Sequence, residues 1–223
     1  MQSHLDTAVL LFSLSVGEEF TSKELLGEAA CNFDLLSRLN KRVSKIAKRS
    51  SLPVILSNEV NQVGDSFGER LSNAIENVFA KGYASVIVVG NDCPDLNQVD
   101  ISNAKELLRT SDLVIGPDHR GGTYLMGLSK ESFQKDAFSR LNWQTQDLVS
   151  SLKAYSFSNF LEVSELNRKA DLNTKKDIGS YWSLSRTLRR LINLVLSELH
   201  IPSSRPIFIP ATVYAAPHNR RGP

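Results

Sequence analysis

A chain of 223 residues accommodates one large core with a short appendage, at roughly 150 residues per domain. With 26 Lys and Arg against 24 Asp and Glu, the formal charge of +2 is too weak a field for a general nucleic-acid binder, and 41% hydrophobic with 22% charged residues lies outside the regime of disorder. Two cysteines, Cys31 and Cys93, build no disulfide framework, no Cys/His cluster has zinc-site spacing, the start lacks a basic leader, and the apolar run at 8–14 is too short to span a bilayer; a cytoplasmic protein without a membrane span is expected.

Residues 7–14 (TAVLLFSL) form a nearly continuous apolar run, the pattern of a strand covered on both faces. Residues 15–20 break it, and from 21 onward Leu25, Leu26, Ala29, Ala30, Phe33, Leu36 and Leu39 recur at helical spacing and predict one long helix. A strand at 52–56, a polar glycine-bearing loop at 58–67 and a helix at 68–80 follow, the last with Leu71, Ile75, Val78 and Phe79 on one face. The run at 84–89 (ASVIVV) is the clearest buried strand; it ends in GNDCPD, which puts Asp92 at a strand's carboxyl end. A helix at 101–108, a strand at 113–116, the pair Gly121 and Gly122, and a strand at 124–128 complete an alternation that implies a largely parallel sheet with helices on both faces. Beyond 130 the pattern predicts a helix at 145–154, a short strand near 155–157 and one amphipathic helix at 174–199 carrying Ile178, Trp182, Leu184, Leu188, Leu191, Ile192, Val195 and Leu196. Pro202 and Pro206 end that helix, and the apolar 207–216 reads as an extended segment docked on the body of the chain or on another subunit.

Ligands of open α/β sheets sit outside the carboxyl ends of strands, and Asp92 is an oxygen donor placed there, suited to a hard cation such as magnesium or manganese. The competing reading makes Asp92 a cap for the next helix, because Asp-x-Pro sequences are ordinary turn chemistry.

The stretch at 90–96 (GNDCPDL), preceded by 62–71 (QVGDSFGERL) and followed by Gly116 and Pro117, Gly121 and Gly122, 124–128 (YLMGL) and 143–145 (WQT), resembles one family in order and spacing. This is the DUF2064-type group of uncharacterised glycosyltransferase-A-like, or nucleotide-diphospho-sugar transferase-like, proteins, distant relatives of the molybdenum-cofactor and cofactor F420 nucleotidyltransferases. The resemblance spans residues 7–178. It implies a three-layer α/β/α sandwich with a mostly parallel sheet and a nucleotide-binding domain at 1–178; outside the resemblance, the residue pattern at 179–223 reads as a C-terminal helix and extended tail packed on that domain or on a partner subunit of a homodimer. The resemblance further implies that Asp92 helps hold Mg2+ or Mn2+ on a nucleotide diphosphate. Residues 171–177 (DLNTKKD) are similar to the family's late acidic segment, so Asn173, with Asp171, would face the same cation; the competing reading is an N-cap for the helix near 174.

Gln62, Gly64, Gly68 and Arg70 fall in the stretch that would meet a base or ribose, unless it is simply a loop and a solvated first helical turn. Gly121 and Gly122 either open an acceptor pocket or form a hairpin bulge. His119 and Arg120 stand where relatives carry acidic residues; Arg120 either binds an anionic acceptor or sits in a surface turn. Asp118 and His119 are the base candidates, on position alone. Cys93 reads as a small buried residue, and Trp143 and Trp182 as core or interface anchors. The departure from the family lies after the first strand, where relatives carry a cationic Lys-Thr-Arg-Leu type segment. Here Gly17 remains, but Glu18 and Glu19 set negative charge where a diphosphate needs donors, with Lys23 the nearby cation, so weak nucleotide affinity is expected. The implied function is a metal-assisted transfer from a nucleotide-sugar or nucleotide donor to a small-molecule acceptor; the alternative is a degenerate member acting as a binding or assembly protein.

Overall fold

Successive residues of a strand face opposite sides of a sheet, and in the first strand, β1 (Leu5–Phe12), both sides are dry: Ala8, Leu10 and Phe12 enter one apolar cluster, Val9 and Leu11 another. The computed structural model describes residues 5–199. Its remaining strands are β2 (Val54–Ser57), β3 (Tyr83–Val89), β4 (Leu113–Pro117), β5 (Thr123–Ser129) and β6 (Val163–Glu165), in one sheet ordered β2-β1-β3-β5-β4-β6. Parallel pairing joins β1 to β2 and β3, and β4 to β6, whereas β5 runs against both β3 and β4. That reversal follows from the connection: β5 leaves β4 through a tight hairpin, and only crossovers return a strand parallel.

The helices are α1 (Val16–Ser22), α2 (Ala29–Arg49), α3 (Phe67–Ala80), α4 (Gln98–Leu107), α5 (Lys135–Ser139), α6 (Leu148–Ser158), α7 (Lys175–Tyr181) and α8 (Arg186–Glu198). On one face α3, α5 and α6 bury Leu71, Ile75, Val78, Phe138 and Leu152 against Leu10, Val88, Ile115 and Met126. On the other, Val43, Ile46 and Ala47 of α2 and Ile101 and Ala104 of α4 cover Val9, Ile87, Val89 and Val114. The three-layer α/β/α sandwich is therefore present. A third cluster lies beside it, where Leu35, Leu36 and Leu39 of α2 meet Ile178 and Tyr181 of α7 and Leu188, Ile192 and Val195 of α8.

Three predicted elements differ. The helix expected from residue 21 is two helices, because Asn32 ties the 23–28 backbone into a loop: its Oδ1 accepts from the N–H of Leu25 at 2.8 Å and of Leu26 at 3.1 Å, and its Nδ2 donates to the Lys23 carbonyl at 2.8 Å. Leu25 and Leu26 fit helical spacing yet are buried as loop residues. Residues 155–157 are the end of α6 and not a strand; Tyr155 and Ser156 turn inward while Phe157 faces solvent, and the strand lies instead at β6, whose VSE has a single apolar side chain. The helix expected at 174–199 breaks at 182–185, where the Ser185 hydroxyl caps α8 by accepting from Leu188 N–H at 2.9 Å, and Leu184 is 66% exposed. The segment at 207–216 lies outside the described residues. Among the described residues no helix is long and apolar enough to cross a membrane.

Candidate active site at the carboxyl ends of the sheet

Beyond the end of β1 the chain enters α1, capped by Ser15, whose hydroxyl accepts from Glu18 N–H at 3.4 Å. Glu19 and Lys23 lie four residues apart, one turn of helix, and both turn toward the end of β3. There the Lys23 ammonium pairs with Asp92 Oδ1 and lies 3.3 Å from Glu19 Oε1, while Asn91 Nδ2 donates to the other oxygen of Glu19 at 2.7 Å. The Leu172 N–H donates to the Asp92 carbonyl at 2.9 Å, which pins the segment carrying Asp171 and Asn173 to the β3 loop. Asn173 Nδ2 in turn donates to Asp171 Oδ2 at 3.3 Å. Residues distant in sequence thus converge: Glu19, Lys23, Asp92, Asp171 and Asn173 share the carboxyl ends of β1 and β3.

One ammonium, Lys23, faces Glu19 and Asp92 directly and Asp171 at longer range, and the titration of Glu19 and Asp171 reflects the shortfall of positive charge. Burial, then the charge of Asp92, lifts Asp171 to about 8, with Lys23 pulling against them and Asp118 adding to them. Burial, then Asp92, likewise lifts Glu19 to about 7, again opposed by Lys23. Burial alone would lower Lys23, but Asp92 and Glu19 more than reverse it, so the ammonium is held above the usual lysine range.

Neither Asp92 nor Asp171 is committed to a helix cap. Asn97 caps α4 with Asp100 closing the box, and Thr174 caps α7 with Asp177; Asn173 contributes to that turn only a backbone N–H, 2.9 Å from Asp177 Oδ2. Cys93 is buried, and burial pushes its thiol well above the ordinary cysteine value, away from nucleophilic use.

The remaining candidates surround this centre less closely. Asp118 is buried in the β4–β5 hairpin, where its Oδ1 accepts from the N–H of Arg120 and of Gly122, both at 2.7 Å. His119 is exposed, with its ring 5.7 Å from that of Tyr181, and the Arg120 guanidinium is 2.8 Å from Asp177. Gly121 has φ of +90°, and a Cβ there would meet the Gln146 carbonyl oxygen at 1.9 Å; one on Gly122 would meet Asp118 Oδ2 at 2.7 Å. Gly122 thus serves the closure of the hairpin, and Gly121 its close approach to the chain at Gln146.

In the loop after β2, Gln62 Nε2 donates to the Ser57 carbonyl at 3.2 Å and Arg70 Nη1 to the Asp65 carbonyl at 3.4 Å. Gly68 faces inward, where a Cβ would meet the Ser139 carbonyl oxygen at 2.0 Å, so its close approach is to α5. Gly64, at φ +135°, turns the chain against Glu69. Glu59 joins this loop to α1 by accepting from Ser15 N–H at 2.7 Å. Gly17 has open space around a notional Cβ, so packing makes no demand for glycine there.

Glu19 and Asn91 are the members of the centre that sequence reasoning missed. Glu19 was readable as a repulsive neighbour of phosphate, yet its four-residue lead on Lys23 is the stabilising order for a helical ion pair. Among the described residues no three His, Cys, Asp or Glu side chains stand together tightly enough to enclose a metal by themselves.

A family model described as "Uncharacterized protein conserved in bacteria (DUF2064)" matches residues 32–145, a span that includes Asn91 and Asp92 but not Glu19, Lys23 or Asp171. The 2-phospho-L-lactate guanylyltransferase of Methanocaldococcus jannaschii is 29% identical over 113 residues, 49% of this chain and 48% of that protein, so the chain spans about half the length of the curated relative it matches. A crystal structure of a provisionally assigned nucleotide-diphospho-sugar transferase from Desulfovibrio desulfuricans G20 superposes with a TM-score of 0.71 at 21% identity, covering 86% of this chain and 97% of that one. The fold is thus of the nucleotide-diphospho-sugar transferase kind.

Proposed function

Since the chain belongs to the DUF2064 family of uncharacterised bacterial proteins, with a sandwich of the nucleotide-diphospho-sugar transferase kind, we propose that it is a transferase that takes a nucleotide-activated donor and passes a glycosyl or nucleotidyl group to a small-molecule acceptor. The observation that carries this reading is the cluster of Glu19, Asp92 and Asp171 around the single ammonium of Lys23, at the carboxyl ends of β1 and β3. Open α/β sheets bind their ligands at this end.

The donor set fits a hard divalent cation. Asp92 and Asp171 supply carboxylate oxygens whose mutual repulsion such a charge would relieve, and Asn173, with its Nδ2 turned to Asp171, keeps its amide oxygen as a further donor. Bound there, Mg2+ or Mn2+ would neutralise a diphosphate and favour its departure as leaving group. Glu19 is turned inward onto Asn91 and Lys23, so its charge is partly met inside the site; exposed Glu18 is the acidic neighbour that remains at the loop. Asp118 is occupied in holding the hairpin, which leaves the exposed His119 beside Tyr181 as the group to accept the acceptor's proton. A second reading, a non-catalytic binding or assembly protein, draws support from Lys23, which already supplies Asp92 with a positive charge.

Calorimetric titration with nucleoside triphosphates and nucleotide sugars, with and without Mn2+, tests the proposal. Binding should depend on the cation and be lost in Asp92→Asn with the fold intact. Binding that is indifferent to both cation and Asp92 would overturn the site, and cation-dependent binding with no turnover on any acceptor would favour the second reading.

A further inference from the structure

We propose that Lys23 is a displaceable internal cation, whose ammonium holds Asp92 until a divalent cation takes that carboxylate and then withdraws onto Glu19. The inference rests on the reading of Asp92 as a cation ligand. Lys23 is 10% exposed and has two acidic partners and not one: Asp92 Oδ1, and Glu19 Oε1 at 3.3 Å.

The two partners are not equivalent. Glu19 lies on α1, four residues before Lys23, which caps that helix, and its second oxygen is held by Asn91 Nδ2 at 2.7 Å, so it is an anchored partner for Lys23. Asp92 comes from the loop after β3, and its side chain is 28% exposed. The Lys23 main chain is immobilised, its N–H donating to the Glu19 carbonyl at 2.9 Å and its carbonyl accepting from Asn32 Nδ2 at 2.8 Å. Only its flexible four-carbon stem needs to move.

With the ammonium on Oδ1, a divalent cation on either oxygen of the same carboxylate stands only a few ångströms from it and is repelled, so metal competes with Lys23 for Asp92. The carboxylates then bind metal more weakly than they would alone, and Asp92 keeps a positive partner when no metal is bound.

Mn2+ binding followed by electron paramagnetic resonance measures the competition directly. Lys23→Met should bind Mn2+ roughly tenfold more tightly than the parent, and Asp92→Asn should not bind it at the site. A parallel experiment leaves the sequence untouched: reductive methylation of Lys23, mapped by mass spectrometry, should accelerate severalfold when Mg2+ is added. Equal Mn2+ affinity in Lys23→Met and parent overturns the competition while leaving the metal site standing, and so does a Lys23 methylation rate that saturating Mg2+ does not change. If Lys23→Met fails to fold, the methylation result decides alone. If parent and Lys23→Met both ignore Mn2+, or Asp92→Asn binds it as the parent does, the site itself fails and the inference falls with it.

Discussion

A carboxyl whose pKa rises on folding binds its proton more tightly in the native state, so its contribution to stability falls as pH climbs from the unfolded value toward the folded one. For Asp171 that window runs from 3.8 to about 8, and for Glu19 from 4.5 to about 7. The chain should accordingly lose stability between pH 5 and pH 8, and Asp171→Asn should flatten that slope and exceed the parent in stability at pH 8. Urea melts at the two pH values measure this, and an unchanged slope would mean that Asp171 ionises without hindrance. Gly121 gives a prediction of the opposite kind. Gly121→Ala combines a strained φ with a clash onto the Gln146 carbonyl, and should cost at least about 1–3 kcal/mol in the same melts. Asp92, Asp171 and Asn173 were legible from the sequence as candidates because their short motifs are contiguous. Glu19 was not, since the amide that fixes its second oxygen, Asn91, lies 72 residues away.

Among the secondary-structure elements, the strands and the helices that cover them were legible from period and length, and the breaks were not. A helix pattern continues through 23–28 because Leu25 and Leu26 keep the spacing; what stops the helix is one buried amide, Asn32, that satisfies three backbone groups of the loop. Asn32→Ala leaves those groups without partners at about 1–3 kcal/mol for each that water does not reach. It should therefore lower the urea midpoint sharply and also release Lys23, whose carbonyl Asn32 holds; a midpoint near that of the parent would show that the loop has another support. The same blindness applies at 182–185, where a serine cap, and not a change in hydrophobicity, ends one helix and begins the next. β6 escaped notice because three residues with one apolar side chain carry no alternation to read.

For the molecule as a whole, the third apolar cluster ties the C-terminal helix to α2, whose other end covers the sheet. Ile192 is fully buried there, so Ile192→Ala should cost about 2–5 kcal/mol and shift one cooperative transition. Far- and near-ultraviolet dichroism followed together through the melt would reveal a separate early step if α8 were an independent appendage. Class and layering were legible at this scale from strand–helix alternation, but the place of β5 was not: strand order is a long-range property, and the hairpin that reverses β5 is local. That placement bears on the birth of the protein. On the ribosome β3 emerges with its run of Val86, Ile87, Val88 and Val89, yet one of its two neighbours, β5, is synthesised only after α4 and β4 have followed. Until then the nascent chain carries an unpaired edge on a strongly apolar strand, the kind of edge that recruits foreign strands. Translation stalled or truncated before β5 should therefore yield aggregates, and pausing just upstream of residue 123 is the point at which a holdase chaperone has most to protect.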